Sequence, residues 1–365
     1  MKVLKIVLTG GPRAGKTSLI PIIKEKLEKQ ENSYVIIVPE TATELAKMGI
    51  RPSTDKEKTL VFQDIIYTLQ KAKEDAIEKI IKTYPDNSKV YVIFDRGILD
   101  NRAYLNEEEF DDILNCYNDA ELRIVDNYDA VYGLCSSSHI EGQYETESNE
   151  ARYEDEEEAK CVDDRTIESW KLHRNYKIID ATDSFKQKEN LILQSLTNLC
   201  EEKDKKTFRR FIFNEPFDMN ILKKYNAKKI QGIDYYMNYY DKNILFIGEK
   251  RKYKDFCSYN MKLKTYDNDK EITFKEKTLS DIDFNDLLNY NKIDRIIYKT
   301  VYTFINNRQV WRLILSDGKY FLEVETSLQH PEITLPKELN NAIEISNEVY
   351  YDIISNLGYK RTLKL

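Results

Sequence analysis

The stretch 8-LTGGPRAGKTS-18 decides how the first half of the chain is read. Gly10, Gly15, Lys16 and Thr17 satisfy the pattern GxxxxGK[ST]. Glycines in such a loop let backbone N–H groups turn inward around phosphates, and a helix starting there adds its positive end. Lys16 is spaced to reach the β- and γ-phosphates, and the Thr17 hydroxyl to hold Mg2+. The whole loop, Gly10, Gly11, Pro12, Arg13, Ala14, Gly15, Lys16, Thr17 and Ser18, is therefore the expected nucleotide cradle. The motif requires a buried strand before it and an amphipathic helix after it. "KIVLTG" is the apolar run, and "KTSLIPIIKEKLEKQ" repeats apolar residues at helical spacing. Pro21, early in that helix, should cost one backbone hydrogen bond.

Outward from the loop, strand-like and helix-like segments alternate. "SYVIIVPE", "KVYVIFDRG", "DAVYGLCSS" and "YKIIDAT" are continuous β-branched runs suited to a parallel sheet covered on both faces. "LVFQDIIYTLQKAKEDAIEKIIKTY" reads as a long helix between them. The pattern predicts a doubly wound α/β domain over residues 1–203. Asp95 ends one strand and Glu40 another, at the carboxyl edge where ligands of such sheets bind. Asp95 is placed to hold Mg2+ or orient an acceptor, and Glu40 to act as a general base. Arg152 and Arg165 flank the acidic run Glu154–Glu158, in a segment suited to a lid that brings positive charge to the phosphates.

After "SFKQKENLILQSLTNLCEEKDKKT", read as a last helix running into a charged linker near 203–207, the texture changes. "RRFIFNEP", "QGIDYYMNYY", "KNILFIGEKRKY", "YNMKLKTYD", "KEITFKEKTLS" and "TVYTFINNRQVWRLILSDGKYFLEVE" read as successive antiparallel strands. "SDGK" between two runs signals a two-residue hairpin. This second domain, 208–365, has its β core at about 208–335 and a helix at its C-terminal end. Residues at i and i+2 share a strand face, so Lys250 with Lys252, Lys262 with Lys264, and Glu323 with Glu325 each project together. Arg210 and Arg312 are further basic positions for an anion site there.

The 365 residues carry 33% charged and 41% hydrophobic side chains and a net charge of −7, which disfavours a general nucleic-acid binder. No apolar run reaches the roughly 18 residues needed to cross a bilayer. The five cysteines are widely spaced and the three histidines scattered, so no zinc site or disulfide framework is expected. The expected compartment is cytoplasmic, with peripheral membrane contact as an option.

"TGGPRAGKTS", "VPETAT", "DRGILD" and "DDRTIESWKLHRNYKIIDAT", in this order, resemble the P-loop domain shared by NadR-like nicotinamide riboside kinases and the TRPL translocation defect protein family. The resemblance implies a nucleoside-kinase-like sheet over 1–203 and makes Asp95 part of a "DR" element. It turns Glu40 and Gln63 towards the acceptor and makes Arg152 and Arg165 lid arginines; His173 and Asp180 fit the pattern without a chemical role. "EKRKY", "YNMKLKT", "IIYKTVYTF" and "VWRLILSDGKYFLEVE" resemble a CYTH domain, the triphosphate-tunnel β-barrel. The ExExK strand of active members is replaced by "RRFIFNEP", which removes carboxylates needed for catalytic metal and leaves an anion-binding barrel.

Two functions follow as expectations. One is an enzyme, a Mg2+-dependent ATP- or GTP-using kinase for a small, nucleoside-like acceptor, or an NTP hydrolase. The other is a GTP-regulated trafficking factor without robust catalysis, whose second domain holds a polyphosphate or phosphoinositide headgroup. NAD salvage ranks below these, and ring-motor action ranks last.

Overall fold

The computed structural model describes residues 1–11, 14–136, 156–180, 184–200, 204–215, 218–238, 244–267, 270–326 and 333–360. The chain divides into two compact units, Met1–Leu193 and Gln194–Leu365.

The first unit opens with β1 (Lys2–Thr9), the phosphate loop and α1 (Lys16–Glu28). It continues through β2 (Ser33–Val38), α2 (Thr41–Lys47), α3 (Lys56–Ile81), β3 (Lys89–Asp95) and a 3-10 turn (Ile98–Ala103). Then come α4 (Glu107–Cys116), α5 (Glu121–Asp126), β4 (Ala130–Leu134), α6 (Glu156–Ser169), β5 (Tyr176–Ile179) and α7 (Phe185–Cys200), whose residues from Gln194 on are counted in the second unit. The five strands form a parallel sheet in the order β2-β3-β1-β4-β5. Every residue of β4 is buried, as are the inner residues of β3 (Val90–Phe94), which explains their unbroken apolar runs. α1 runs straight through Pro21. α3 starts where the Asp55 carboxylate accepts the Lys58 N–H at 3.0 Å, and α4 where Asn106 and Glu109 form a reciprocal capping box.

β1 lies between β3 and β4, with Leu8 opposite Asp95. The connections leave β1 on either side in opposite directions, so the crevice at its carboxyl end is where the loop opens and where Asp95 stands.

In the second unit, β6 (Asp204–Phe213) begins inside the segment expected to be a linker. Its residues 204–207 pair with β10 and its residues 207–213 with β13, and those pairings override the charged composition. The other elements are α8 (Ile221–Lys224), β7 (Lys228–Met237), β8 (Leu245–Tyr253), β9 (Phe256–Asp267), β10 (Lys270–Leu279) and α9 (Asp281–Tyr290). They are followed by β11 (Ile293–Asn306), β12 (Gln309–Ser316), β13 (Lys319–Thr326), β14 (Ile343–Ile345), α10 (Asn347–Asn356) and β15 (Tyr359–Lys360). Neighbouring strands run β10-β9-β8-β7-β11-β12-β13-β6, and β6 returns to β10, so eight antiparallel strands close into a barrel. Asp317 and Gly318, in "SDGK", both have positive φ (45° and 73°), the geometry of a tight two-residue hairpin.

One barrel face buries Phe211, Phe304, Trp311, Leu313, Leu322 and Val324 against Leu222 and Leu339. Each such fully buried large side chain contributes about 2 kcal/mol of apolar burial. On the opposite face, Ile297 and Phe321 meet Tyr350 and Ile354 of α10.

Candidate functional site

The loop leaves β1 at Gly10, whose φ of 130° is closed to other residues; a Cβ there would sit 2.0 Å from the Leu134 carbonyl oxygen. Gly15 caps α1, Lys16 and Ala14 are buried, and Thr17 and Ser18 are exposed. Pro12 and Arg13 lie outside the described residues. The Lys16 ammonium donates to the Gly10 carbonyl at 2.7 Å and the Gly11 carbonyl at 3.1 Å, so it lies folded onto its own loop.

Around Lys16 the sheet edge gathers Glu40, which precedes α2, Asp95, which ends β3, and Arg96 and Asp100, which follow it. Burial, then repulsion from Arg96, pushes the Lys16 ammonium down to about 8, although Glu40, Asp95 and Asp100 pull the other way. Arg96 is the residue the sequence reading passed over. It adopts a left-handed φ of 72° and its N–H donates to the Leu8 carbonyl at 3.0 Å. Its Nε donates to Glu40 Oε1 at 2.5 Å and its guanidinium reaches Asp100 Oδ2 at 3.4 Å. Glu40 Oε2 accepts from the Thr43 hydroxyl at 2.6 Å. Burial alone would raise the Glu40 carboxyl, but Arg96 and then Lys16 hold it down to about 2. In this arrangement both Glu40 oxygens are engaged, with Arg96 and with Thr43, so Glu40, expected as a general base, stands here as the partner of Arg96.

Asp95 differs. Burial raises its carboxyl, against the pull of Lys16, and its Oδ1 is buried with no hydrogen-bond partner. Asp100 is fixed from three sides. Its Oδ1 accepts from Thr9 at 2.6 Å and from the Trp170 indole at 2.7 Å, and its Oδ2 faces Arg96. Trp170 covers Gly97 so closely that a Cβ there would lie 2.6 Å from the ring.

The other predicted positions separate. Arg152 lies outside the described residues. Arg165 is exposed on α6, where its Nε donates to the Cys161 carbonyl of the same helix at 3.3 Å; it is not among the charges gathered round Lys16. Gln63 is buried on α3 with its Oε1 unpartnered. His173 Nδ1 accepts the Asn175 N–H at 3.1 Å, so its Nε2 donates to the Tyr128 carbonyl at 2.9 Å; the ring is a neutral pin between chain segments. Asp180 lies 3.9 Å from the Cys135 thiol.

A second residue was also missed. Asp163 of α6 is fully buried, and its carboxylate accepts the Gly11 N–H at 2.5 Å and the Ser136 N–H at 3.0 Å. It ties the entry of the phosphate loop to the end of β4. The helical period held the clue: Val162, Asp163, Thr166 and Ile167 are buried on one face, while Asp164 and Arg165 are exposed.

In the barrel, Arg210, Lys262, Arg312 and Glu323 share an inward face with Arg251. Arg210 Nε and Arg312 approach Glu323 at 3.4 and 3.6 Å, and the Arg210 guanidinium stacks 4.4 Å from the Tyr350 ring centre. Lys264 lies on the Lys262 face and Glu325 on the Glu323 face, both half-buried. Lys250 and Lys252 are corrected. They project to the opposite face from Glu249 and Arg251, with Lys252 exposed and Lys250 5.6 Å from the Tyr259 ring centre beside α9.

Among the described residues, no group of three or more His, Cys, Asp or Glu could hold a metal by itself, and no helix is long and apolar enough to cross a membrane. No curated protein matches the chain. Several solved structures resemble parts of it. The thymidylate kinase of Candida albicans is 16% identical, covering 55% of this chain and 93% of its own, with a TM-score of 0.37. The inorganic triphosphatase NE1496 is 17% identical over 40% of this chain and 89% of its own, with a TM-score of 0.27. The PH1012 protein of Pyrococcus horikoshii is 17% identical over 43% and 92%, with a TM-score of 0.26. At these scores the likenesses carry no functional argument. The phosphate loop on a parallel sheet makes the first unit a nucleotide-binding unit, and its residues 5–188 match the family described as "AAA domain", so the chain belongs to the AAA-domain family.

Proposed function

We propose that the first unit binds a Mg2+–NTP and transfers its γ-phosphoryl group to a small acceptor hydroxyl, or to water, releasing the NDP. The observation that carries this reading is Asp95 Oδ1. It is a buried carboxylate oxygen without a partner, at the strand end beside Lys16 and the Arg96 guanidinium. Burying an unpaired acceptor is costly, so a site that keeps one is built to receive a donor. Asp95 rather than Glu40 is the carboxylate open to an incoming group. Glu40 and Asp100 instead hold Arg96 in place, and Lys16 and Arg96 supply positive charge to the phosphates. The Thr17 hydroxyl and Asp95 fit Mg2+, a hard ion that takes oxygen ligands and shares them with substrate phosphates. When bound, it would neutralise charge on those phosphates.

A nucleoside-like acceptor is the finer form of this proposal, supported by the resemblance to nucleoside kinases. A second reading, GTP-regulated recognition of a phosphoinositide or polyphosphate without robust turnover, is favoured by Arg210 and Arg312 converging on one inward face of the barrel beside Glu323. The deciding experiment is a panel of ATP and GTP with Mg2+, with and without nucleosides. An acceptor-dependent product supports the kinase, and tight nucleotide binding without turnover supports the second reading. Lys16→Ala should abolish turnover; unchanged turnover in that variant removes the assignment of the loop as the reacting site.

A further inference from the structure

The inward face of the β7–β11 wall carries two lysines, Lys262 and Lys299, that are already paired from within. Glu249 of β8 is buried, and its two carboxylate oxygens serve two different lysines. Oε2 accepts from Lys262 of β9 at 2.9 Å, and Oε1 accepts from Lys299 of β11 at 3.1 Å. Lys299 also donates to Asp234 of β7 at 2.7 Å, and Lys262 lies 3.6 Å from Glu276 of β10. Burial would lower the Lys299 ammonium, but Asp234 and Glu249 raise it instead, so it stays charged. Three carboxylates thus face these two ammonium groups on five adjacent strands, with Arg251 and Lys264 on the same face.

The register adds a second observation. Asn260 stands opposite Glu249 and is fully buried. Its Oδ1 accepts from the Thr278 hydroxyl at 3.1 Å, while its Nδ2 has no partner. A buried N–H donor without an acceptor stands beside a carboxylate committed to two lysines.

We propose that Glu249 is a built-in counter-anion that sets the specificity of the barrel, holding Lys262 and Lys299 in internal ion pairs so that a small soluble polyanion binds this wall only weakly. An entering anion must displace a buried carboxylate with short contacts to both lysines, and it meets the like charges of Asp234 and Glu276. On the opposite wall two guanidiniums approach one carboxylate at 3.4 and 3.6 Å, and Arg210 also donates to Asn347. Removing the Glu249 charge should convert a neutralised wall into a receptive one.

The test uses the full chain and inorganic pyrophosphate as probe. Both arms carry Lys16→Ala, so that the phosphate loop does not contribute. Pyrophosphate affinity is measured by calorimetry with and without Glu249→Gln, and circular dichroism checks the fold. The expected result is at least about tenfold tighter binding with Glu249→Gln, and adding Lys262→Met should erase that gain. Equal or weaker binding with Glu249→Gln overturns the proposal, as does a gain that survives Lys262→Met. If Glu249→Gln does not fold, Glu276→Gln decides, since Glu276 is exposed and shares Lys262. It should give a gain of a few-fold, and none at all overturns the proposal. Neither outcome depends on turnover in the first unit, so this inference and the phosphoryl-transfer reading fail separately.

Discussion

Arg96→Met removes the guanidinium from the candidate site while keeping an unbranched side chain of similar reach. Holding the Glu40 carboxyl at about 2 instead of the ordinary 4.5 is worth about 3 kcal/mol at neutral pH. Without Arg96, Glu40 keeps the burial that raises it and loses the first of the two charges that lower it. The variant should therefore lose about 3 kcal/mol of stability at pH 7, within the range for stranding one partner of a buried ion pair. The sign of the pH dependence follows from a depressed carboxyl. In the wild type, the Glu40 contribution is fully present above 4.5 and is lost as pH falls through about 2. In the variant, folded Glu40 binds its proton closer to the ordinary value, so the stability gap should be widest above pH 5 and close towards pH 2. Urea unfolding at pH 7, 5, 4 and 3 reads the gap, and carboxyl NMR follows Glu40 directly. A gap of constant size across that series, or a Glu40 that still titrates near 2 in Arg96→Met, would refute the reasoning.

Three further outcomes are expected. Because the free Lys16 ammonium sits at about 8, Mg2+–ATP binding at pH 8.5 should draw in up to ~0.7 proton as the phosphates restore its charge. Calorimetry in buffers of different ionisation enthalpy measures this, and the uptake should vanish in Lys16→Ala. By the same depressed value, the free protein should gain stability as pH climbs from 8 to 10.5, since over that window the unfolded chain binds more protons. Asp163→Asn replaces one of two convergent acceptors with an amide NH2, a donor facing a backbone N–H, so nucleotide affinity should fall about tenfold, the scale of one charge-assisted hydrogen bond. Undiminished affinity, by fluorescence titration of the folded variant, would mean that Asp163 does not position the loop.

What could be read from the sequence is what local periodicity encodes. The five parallel strands, the loop and helix α3 announce themselves by apolar runs and spacing, and "SDGK" by turn chemistry. Arg96 did not, because its importance rests on a left-handed backbone and on a contact with a residue 56 positions away. Asp163 hid beside Asp164, in a helix of mixed polarity whose buried face emerges only once the loop lies against it. In the barrel, the period-two reading paired residues correctly but missed the phase of β8. Lys250 with Lys252 and Glu249 with Arg251 are equally good alternations, and only the neighbouring strands and α9 decide which pair turns inward.

The return of β6 to β10, and its pairing with β13 about a hundred residues later, has a consequence for synthesis. A growing chain has all five strands of the parallel sheet once Ile179 leaves the ribosome, so the nucleotide-binding sheet can form early. The barrel has no such early option. Its first strand must wait, one edge unpaired, until Thr326 has been made. During that interval the nascent protein carries a bare strand edge that any passing β-segment could join. Chains cut short before residue 319 would never escape that state, and for them the hazard is aggregation more than loss of activity.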